Sequence, residues 1–355
     1  MSPDLTTPLR VGALVLDRRL FMAPMAGLTK AAFRRFVRRW GAGLLFTEMI
    51  SSHGIAYGNR RTLDYLQATE DEHPIGYQLF GAVPEVMAEA AAACVEAGAD
   101  LVDVNMACPV RKVMKTGAGA ALLGEPELAE RIVAAMVAAL PAAVPLTVKI
   151  RAGLRVGDEA GRLVAPRLVA AGAAAIAIHP RWATQLYRGQ ADHAITLALA
   201  RELEAPVIAS GDIGAALHTP SSASGDGEAM REARSTSAPR DGVAWAAAET
   251  CAGLLDGGVA AVMLARAALG RPWLFDEILS GAPAPAPATR LKEIIAFVEE
   301  VGGEMGGRAV TYLRQFWPRF RRGGAIEPGE ARELMQARQI GEIRDLLARA
   351  LERRS

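Results

Sequence analysis

The chain has 355 residues, 51% of them hydrophobic and 22% charged, and its formal net charge is +1. This length allows one large domain and a smaller one, and the near neutrality excludes nucleic-acid binding that depends on overall charge. Without a membrane-length apolar run, a signal-peptide pattern or metal-ligand spacing among its three cysteines, the chain is expected to be cytoplasmic and reduced, with no membrane partner and no metal.

Short apolar segments alternate along the chain with stretches of helical periodicity. Two of these stretches, 84–99 and 126–141, open with Pro-Glu, which suits the first turn of a helix. Eight βα units predict an α/β fold, a TIM (β/α)8 barrel; an open doubly wound sheet is the alternative, but the even spacing favours closure. The preceding segment LRVGALVLDRRL predicts a hairpin that plugs the barrel floor. The predicted strands lie within 19–27, 43–49, 74–80, 101–107, 145–153, 174–180, 206–214 and 260–269.

Two segments interrupt this pattern and define the predicted domains. Residues 215–248 are rich in Ser, Gly, Ala and Pro, which predicts a flexible insertion within a barrel domain over 1–280. A Pro/Ala linker at 281–290 is followed by helical periodicity over 291–355, which predicts a small all-helical domain. On the first barrel helix, four arginines are expected to form a solvated outer face: Arg34, Arg35, Arg38 and Arg39.

Polar residues end seven of the eight predicted strands. In a TIM barrel the active site lies at the carboxyl ends of the strands, and buried polar groups there each need a partner. This distribution predicts an active site rather than packing alone. The residues are Glu48, Gln78, Asn105, Cys108, Lys149, Arg151, His179, Ser210, Asp212 and Arg266.

Cys108 differs from the other two cysteines in its position. Cys94 and Cys251 lie in helical segments, where a free cysteine is usually an inert small hydrophobe. Cys108 follows a strand end, with basic residues close by in sequence that would favour the thiolate. We therefore interpret Cys108 as a group that donates or accepts a proton.

Lys149 stands among β-branched residues in PLTVKIRAG, where an ammonium group is poorly solvated. Burying that charge without a partner is costly, so an anionic partner is expected. A reduced flavin ring or a phosphate would serve; pairing with a carboxylate such as Glu48 is the alternative.

Seven stretches of the chain, in order over roughly residues 10 to 280, match one known family. They are MAPMAGLTKAAFR (22–34), QLFG (78–81), DVNMACPVRKVMKTGAGAALL (103–123), KIRAG (149–153), IHPR (178–181), IASGDI (208–213) and MLARAALGRPWLF (263–275). In these stretches the chain resembles the tRNA-dihydrouridine synthases, flavoenzymes that reduce uridine in tRNA, and a small helical C-terminal domain also fits that family.

The resemblance implies an FMN cofactor, NADPH as reductant and tRNA as substrate. Cys108 would be the general acid, and Asn105 and Arg151 would orient the uracil. The flavin would be lined by Pro24, Met25 and Ala26 and contacted along its ring or ribityl chain by Gln78, Lys149 and His179. Its phosphate end would be held by Ser210, Gly211, Asp212, Ala265 and Arg266.

Cations cluster in the predicted βα loops although the whole chain is nearly neutral, and this favours an RNA-binding mouth. In the helical domain, RQFWPRFRRGG (314–324) interleaves arginines with aromatics, which either contact RNA or form core and solvated surface. The loop cations expected to bind RNA are Arg111, Lys112, Lys115 and Arg181, with Lys30, Arg60, Arg61, Arg151, Arg155 and Arg188 nearby.

Some positions depart from the family pattern. Pro180, Ala265 and Ala107 stand where glycine is usual, and Ser210 where asparagine is usual, so the phosphate end of the flavin would be bound more weakly or arranged differently. Three other functions stay open: a flavin-dependent reductase of a free pyrimidine or small enone, in the manner of dihydroorotate dehydrogenases; a flavin-less RNA-binding protein; and a phosphosugar enzyme. We expect a monomer.

Overall fold

A computed structural model describes residues 4–214 and 242–354. The described residues divide into two compact units. The first comprises residues 4–212 and 251–265, and the second comprises residues 213–214, 242–250 and 266–354. No helix within these described ranges has the length and apolar content needed to cross a bilayer.

The first unit is a parallel β-barrel, as predicted. Eight strands follow one another in the order β3-β11-β10-β9-β8-β7-β6-β4, with β5 also paired to β6. The Gly43 N–H donates to the Leu20 carbonyl at 2.8 Å, and the Met22 N–H donates to the Leu44 carbonyl at 2.9 Å. These two bonds bring the ends of the sheet together. The strands are β1 (Leu9–Val11), β2 (Leu14–Leu16), β3 (Leu20–Met22), β4 (Leu45–Phe46), β5 (Ile50–Ser51), β6 (Ile75–Phe80), β7 (Leu101–Met106), β8 (Leu146–Gly153), β9 (Ala175–Trp182), β10 (Val207–Ser210) and β11 (Ala261–Leu264).

Helices separate the barrel strands and make up the second unit. Up to β10 they are Ala31–Arg39, Ser52–Ala56, Arg60–Leu63, Pro84–Glu96, Arg111–Met114, Pro126–Ala139, Ala160–Ala170 and His193–Glu202. After β10 they are Gly242–Asp256, Arg266–Gly270, Leu274–Ser280, Pro287–Met305, Ala309–Leu313, Trp317–Arg322, Pro328–Gln336 and Ile340–Glu352.

The bounds of two helices correct the predicted interruptions. Of the predicted insertion, residues 215–241 lie outside the described residues, and residues 242–248 belong to the helix Gly242–Asp256. The predicted linker also ends too late, because a helix begins at Pro287. Proline suits the first helical turn, where its missing N–H has no intrahelical partner to lose.

The predicted N-terminal hairpin is present. Strands β1 and β2 pair antiparallel, and Gly12 in the turn has φ +57°. A Cβ at Gly12 would lie 2.9 Å from the Pro145 Cβ, so this turn needs glycine for space as well as for conformation. Leu9, Val11 and Leu16 are buried in one cluster with barrel residues that include the first residues of three strands. The hairpin therefore closes the amino-terminal end of the barrel.

The predicted solvated arginine face on the first barrel helix was wrong for three of its four members. The Arg35 side chain is only 13% exposed, and its Nε lies 3.7 Å from the Asp71 carboxylate. Arg34 is buried, its Nε donates to the Glu72 carboxylate at 2.7 Å, and Nη1 donates to the Thr29 carbonyl at 2.7 Å. Arg38 donates to the carbonyls of Glu72 and Pro74 at 3.0 and 2.8 Å. The buried Glu72 carboxylate requires a cation, and periodicity could not reveal this distant partner.

Aromatic side chains form the core of the helical part of the second unit. Phe297 lies edge-on to Phe316 and Phe320, with ring centroids 5.1 and 6.3 Å apart. Phe316, Trp317 and Phe320 are all fully buried, so their rings cannot stack on RNA bases. The RQFWPRFRRGG segment therefore supplies core aromatics, while Arg321 and Arg322 stay exposed.

Candidate active site

Strands β6 to β9 place their polar side chains on one face. Alternate residues of a strand share a face, and residues in register on parallel neighbours lie side by side. The register pairs are Gln78 with Asp103, Asp103 with Thr147, Asn105 with Lys149, and Arg151 with His179. A continuous polar layer thus crosses four strands near their carboxyl ends.

A chain of hydrogen bonds runs through this layer to the loop after β7 that carries Cys108, residues 107–120, called the cysteine loop below. The carboxylate of Asp103 accepts from the Thr147 hydroxyl at 2.6 Å and from Gln78 Nε2 at 2.7 Å. Gln78 Oε1 accepts from Asn105 Nδ2 at 2.8 Å. Asn105 Oδ1 in turn accepts from the backbone N–H of Cys108 at 2.8 Å and from that of Ala107 at 3.1 Å. Burial raises the pKa of Asp103 to about 6.

Cys108 lies directly after β7 and is partly exposed. Its carbonyl accepts from the Ala120 N–H at 3.0 Å, which folds the intervening loop back on itself. Gly119 has φ +64°, and a Cβ there would lie 2.7 Å from the Cys108 carbonyl oxygen. The glycine therefore permits the loop to close against the cysteine backbone.

The other two cysteines are buried, as their helical positions predict. Burial raises the pKa of Cys94 and of Cys251 to about 12, so both thiols stay protonated and unreactive.

Lys149 is 6% exposed, and within residues 4–214 and 242–354 its ammonium group has no hydrogen-bond or ion-pair partner. Burial and the nearby Arg151 lower the pKa of Lys149 to about 8, and Asp103 opposes that decrease. The alternative partner, Glu48, instead lies 3.4 Å from Lys30. Lys149 is thus a buried cation whose N–H donors are available to a ligand.

Arg151 is buried beside the cysteine loop. Its Nε donates to the Ala107 carbonyl at 2.8 Å, and its Nη1 donates to the carbonyls of Trp182 and Leu186 at 3.1 and 2.8 Å. The Tyr187 ring, 58% exposed, lies 5.5 Å from the guanidinium carbon of Arg151. Arg151 therefore joins the loop after β7 to the loop after β9.

The end of β9 and the loop after β10 are linked by Arg181, which is only 2% exposed. Its Nη2 donates to the Asp212 carboxylate at 2.6 Å, and its Nη1 lies 3.1 Å from His179 Nε2. Gly211 has φ +104°, and a Cβ there would lie 2.8 Å from the His179 ring. This burial contradicts the predicted contact of Arg181 with RNA, because its guanidinium is already held by the protein.

The remaining predicted site residues lie at other strand ends. Pro24, Met25 and Ala26 follow β3, and the Met25 N–H donates to the Thr29 hydroxyl at 3.1 Å. Ser210 ends β10 and is buried. Ala265 is the last residue of the first unit, whereas Arg266 begins a helix of the second unit.

Three cations of the cysteine loop are exposed to solvent. Arg111 and Lys112 lie on the short helix Arg111–Met114, and Lys115 follows it. These exposed side chains can approach a phosphate backbone without breaking a contact to the protein.

Asp103, Thr147 and Tyr187 belong to the site but were not predicted. Asp103 stands two residues before Asn105, and Thr147 two residues before Lys149, so strand alternation could have placed both on the same face. Nothing in the local sequence marks Tyr187, because its partner Arg151 lies on another strand.

The closed parallel barrel, with polar residues gathered at the carboxyl ends of its strands, defines a TIM-barrel enzyme. The family model "Dihydrouridine synthase (Dus)" matches residues 21–224. The chain belongs to the dihydrouridine synthase family and is an oxidoreductase.

Curated relatives extend this match over most of the chain. tRNA-dihydrouridine synthase B of Xanthomonas campestris is 35% identical, over 82% of this chain and 77% of that protein. tRNA-dihydrouridine synthase B of Pseudomonas aeruginosa is 34% identical, over 87% of this chain and 86% of that protein. The probable tRNA-dihydrouridine synthase 1 of Synechocystis sp. is 34% identical, over 97% and 89%.

Solved structures with low sequence identity share the fold. Morphinone reductase covers 81% of this chain and 92% of its own, with a TM-score of 0.50 and 16% identity. The 6-hydroxypseudooxynicotine amine oxidase of Pseudomonas geniculata covers 99% of this chain and 67% of its own, with a TM-score of 0.57 and 14% identity.

Proposed function

We propose that this protein reduces the C5=C6 bond of uridine in tRNA to dihydrouridine, with FMN as cofactor and NADPH as reductant. The relatives named above are tRNA-dihydrouridine synthases at 34–35% identity. The observation that carries the proposal is the presence, at neighbouring strand ends, of a partly exposed thiol, Cys108, and a buried cation, Lys149, whose ammonium group has no partner among the described residues.

The residues of this layer fit a flavin. An anionic reduced ring would give Lys149 the partner that the described protein does not supply. Gln78 and His179 are polar groups at neighbouring strand ends that can meet the ring or the ribityl chain. A Cβ at Gly211 would lie 2.8 Å from the His179 ring, so glycine lets the backbone after β10 approach that ring closely.

We assign the phosphate end of the flavin to backbone and hydroxyl groups around Ser210 and Gly211, with Ala265, in the same unit, as a further candidate. The Asp212 side chain already accepts from Arg181 and from the Ala191 N–H at 2.7 Å. Its negative charge would also repel a phosphate. Asp212 therefore supports this end through its hydrogen bonds to the protein, in a backbone conformation with φ +55°.

When bound, the reduced flavin supplies the hydride that adds to carbon 6 of the uracil. Cys108 holds a proton on Sγ and gives it to carbon 5, which completes the reduction of the double bond. Asn105 and Arg151 hydrogen-bond to the loop that carries Cys108 through Oδ1 and Nε, and their remaining donors, Asn105 Nδ2 and Arg151 Nη2, would orient the uracil. The proton donor, Cys108, and the uracil would thus both be held by Asn105 and Arg151.

The target base must leave its stacked position in the RNA to reach this layer, at a cost of a few kcal/mol. The exposed Arg111, Lys112 and Lys115 lie on the loop that carries Cys108, where they can hold the neighbouring phosphates. Such a role in tRNA modification places the enzyme in the cytoplasm.

The proposal is tested by the absorbance spectrum of the purified protein and by its activity. We expect flavin bands near one equivalent, bleached by NADPH, and dihydrouridine in tRNA after turnover. A protein that binds no FMN would refute the flavin assignment. A yellow protein that reduces free uridine or a small enone, but not uridine in tRNA, would refute the assigned substrate.

A further inference from the structure

The polar layer contains a group that the proposed reaction does not use directly, the buried carboxylate of Asp103. We infer that Asp103 is a positioning residue: its two hydrogen bonds fix which way the amides of Gln78 and Asn105 face, and so hold the backbone of Cys108. This inference rests on the proposed role of Cys108 as proton donor. It gives the Asp103 side chain itself no contact with the reacting atoms.

The argument begins with what a carboxylate can do. An ionised carboxylate only accepts hydrogen bonds, so both of its neighbours must donate. Thr147 donates to one oxygen at 2.6 Å, and Gln78 donates through Nε2 to the other at 2.7 Å. The pKa of Asp103, about 6, leaves the group mainly ionised at neutral pH.

The orientation of one amide then determines the next. Because Gln78 turns Nε2 toward Asp103, its Oε1 faces Asn105 and accepts from Nδ2 at 2.8 Å. Asn105 must therefore turn Oδ1 toward the N–H groups of Ala107 and Cys108, at 3.1 and 2.8 Å. With both amides reversed, Asn105 Nδ2 would face two N–H donors, and neither donor would be satisfied.

These bonds matter because the cysteine lies just beyond the end of β7. Asn105 Oδ1 accepts from the N–H groups of Ala107 and Cys108, and Arg151 Nε donates to the Ala107 carbonyl at 2.8 Å. If the Asn105 contacts are lost, the Arg151 contact remains but the Cys108 N–H is free. The thiol is then no longer held at one position, which a proton donor to a single carbon atom requires.

Asp103→Asn and Thr147→Val change little volume. Together they separate the effect of the Asp103 charge from the effect of the orientation of the Gln78 and Asn105 amides. In Asp103→Asn the new amide can turn its oxygen toward Gln78 and its NH2 group toward the Thr147 hydroxyl, which can accept, so the orientation is kept. In Thr147→Val the carboxylate still accepts from Gln78. In the double variant, the retained orientation would leave the NH2 group of the introduced amide facing a methyl group, and the opposite orientation becomes competitive.

The readout is the rate at which iodoacetamide alkylates Cys108 in the flavin-loaded protein, followed by mass spectrometry without RNA. The buried Cys94 and Cys251 serve as internal controls. We expect both single variants to stay within about twofold of wild type and the double variant to react about tenfold faster, the effect of losing roughly one or two hydrogen bonds. Amide exchange should rise at residues 107–108 and stay unchanged in the β1–β2 hairpin.

A rate in the double variant equal to the product of the two single effects would overturn the inference. If the double variant does not fold, Gln78→Met cuts the same chain, and an unchanged alkylation rate there would overturn it instead. Neither measurement requires reduction of RNA. The inference can therefore fail while dihydrouridine is still formed, and a failed search for dihydrouridine leaves the alkylation result standing.

Discussion

Replacing Lys149 by methionine tests whether this buried lysine binds an anionic ligand. Met is similar in length but carries no charge, so the variant removes the cost of burying an ammonium group without a partner. In the flavin-free protein at pH 7, we expect Lys149→Met to be more stable than wild type. With FMN bound, the order should reverse, because the wild-type cation then gains its partner.

The magnitude follows from the lowered pKa of Lys149. A change from its ordinary value of 10.5 to about 8 corresponds to about 3 kcal/mol against the charged form in the folded protein. Below pH 8 both folded and unfolded states carry the proton, so the full cost is present. Between pH 8 and 10.5 the unfolded state binds more protons, so wild-type stability rises with pH. The advantage of the variant should therefore shrink by about 2 kcal/mol between pH 7 and 9.5.

The assay is urea unfolding of the flavin-free proteins at pH 7, 8, 9 and 9.5, repeated at pH 7 with saturating FMN. Lys292→Met, at an exposed lysine of the helix Pro287–Met305, is the matched control and should show no such pH dependence. A variant less stable than wild type at pH 7 without flavin would refute the reasoning. So would a stability difference that does not change with pH.

Two further predictions concern the cysteine loop. Cys108→Ala should keep flavin and tRNA binding but lower the rate of dihydrouridine formation by about 100-fold or more, the usual contribution of a general acid; turnover at the wild-type rate would contradict its role. Replacing the exposed loop cations Arg111, Lys112 and Lys115 by alanine should reduce the slope of log affinity for tRNA against log salt by about 0.7–0.9 for each lost phosphate contact. The control is a double variant, Arg131→Ala with Arg201→Ala, at exposed positions on the outer barrel helices. This control should leave the slope unchanged.

The barrel could be predicted because its strands are short, apolar and buried on both faces. All eight predicted strand segments overlap a barrel strand, and the LRVGALVLDRRL hairpin was also confirmed. The errors fall where sequence composition conflicts with local structure. Ala-rich residues 242–248 were assigned to a loop with the polar segment before them, although alanine favours a helix.

The candidate site could be predicted as a set of positions but not as a set of contacts. Lys149 and Cys108 stand out locally, as a charge in an apolar strand and a thiol at a strand end. Arg181 looks the same in sequence as an exposed loop cation. Only the fold shows that Arg181 forms an ion pair with Asp212, in the loop after β10. Partners that lie on different strands leave no local signal.

Two of the buried charges of the layer, those of Asp103 and Lys149, show why these contacts decide function. Asp103 and Lys149 lie on neighbouring strands but are offset by two residues, since Asp103 is in register with Thr147 and Asn105 with Lys149. The carboxylate is taken up by Thr147 and Gln78 rather than by the lysine. A direct ion pair would satisfy both charges and leave nothing for a ligand. The offset instead leaves the carboxylate to accept from Thr147 and Gln78, and it leaves the Lys149 donors available to a ligand, which we propose is the flavin.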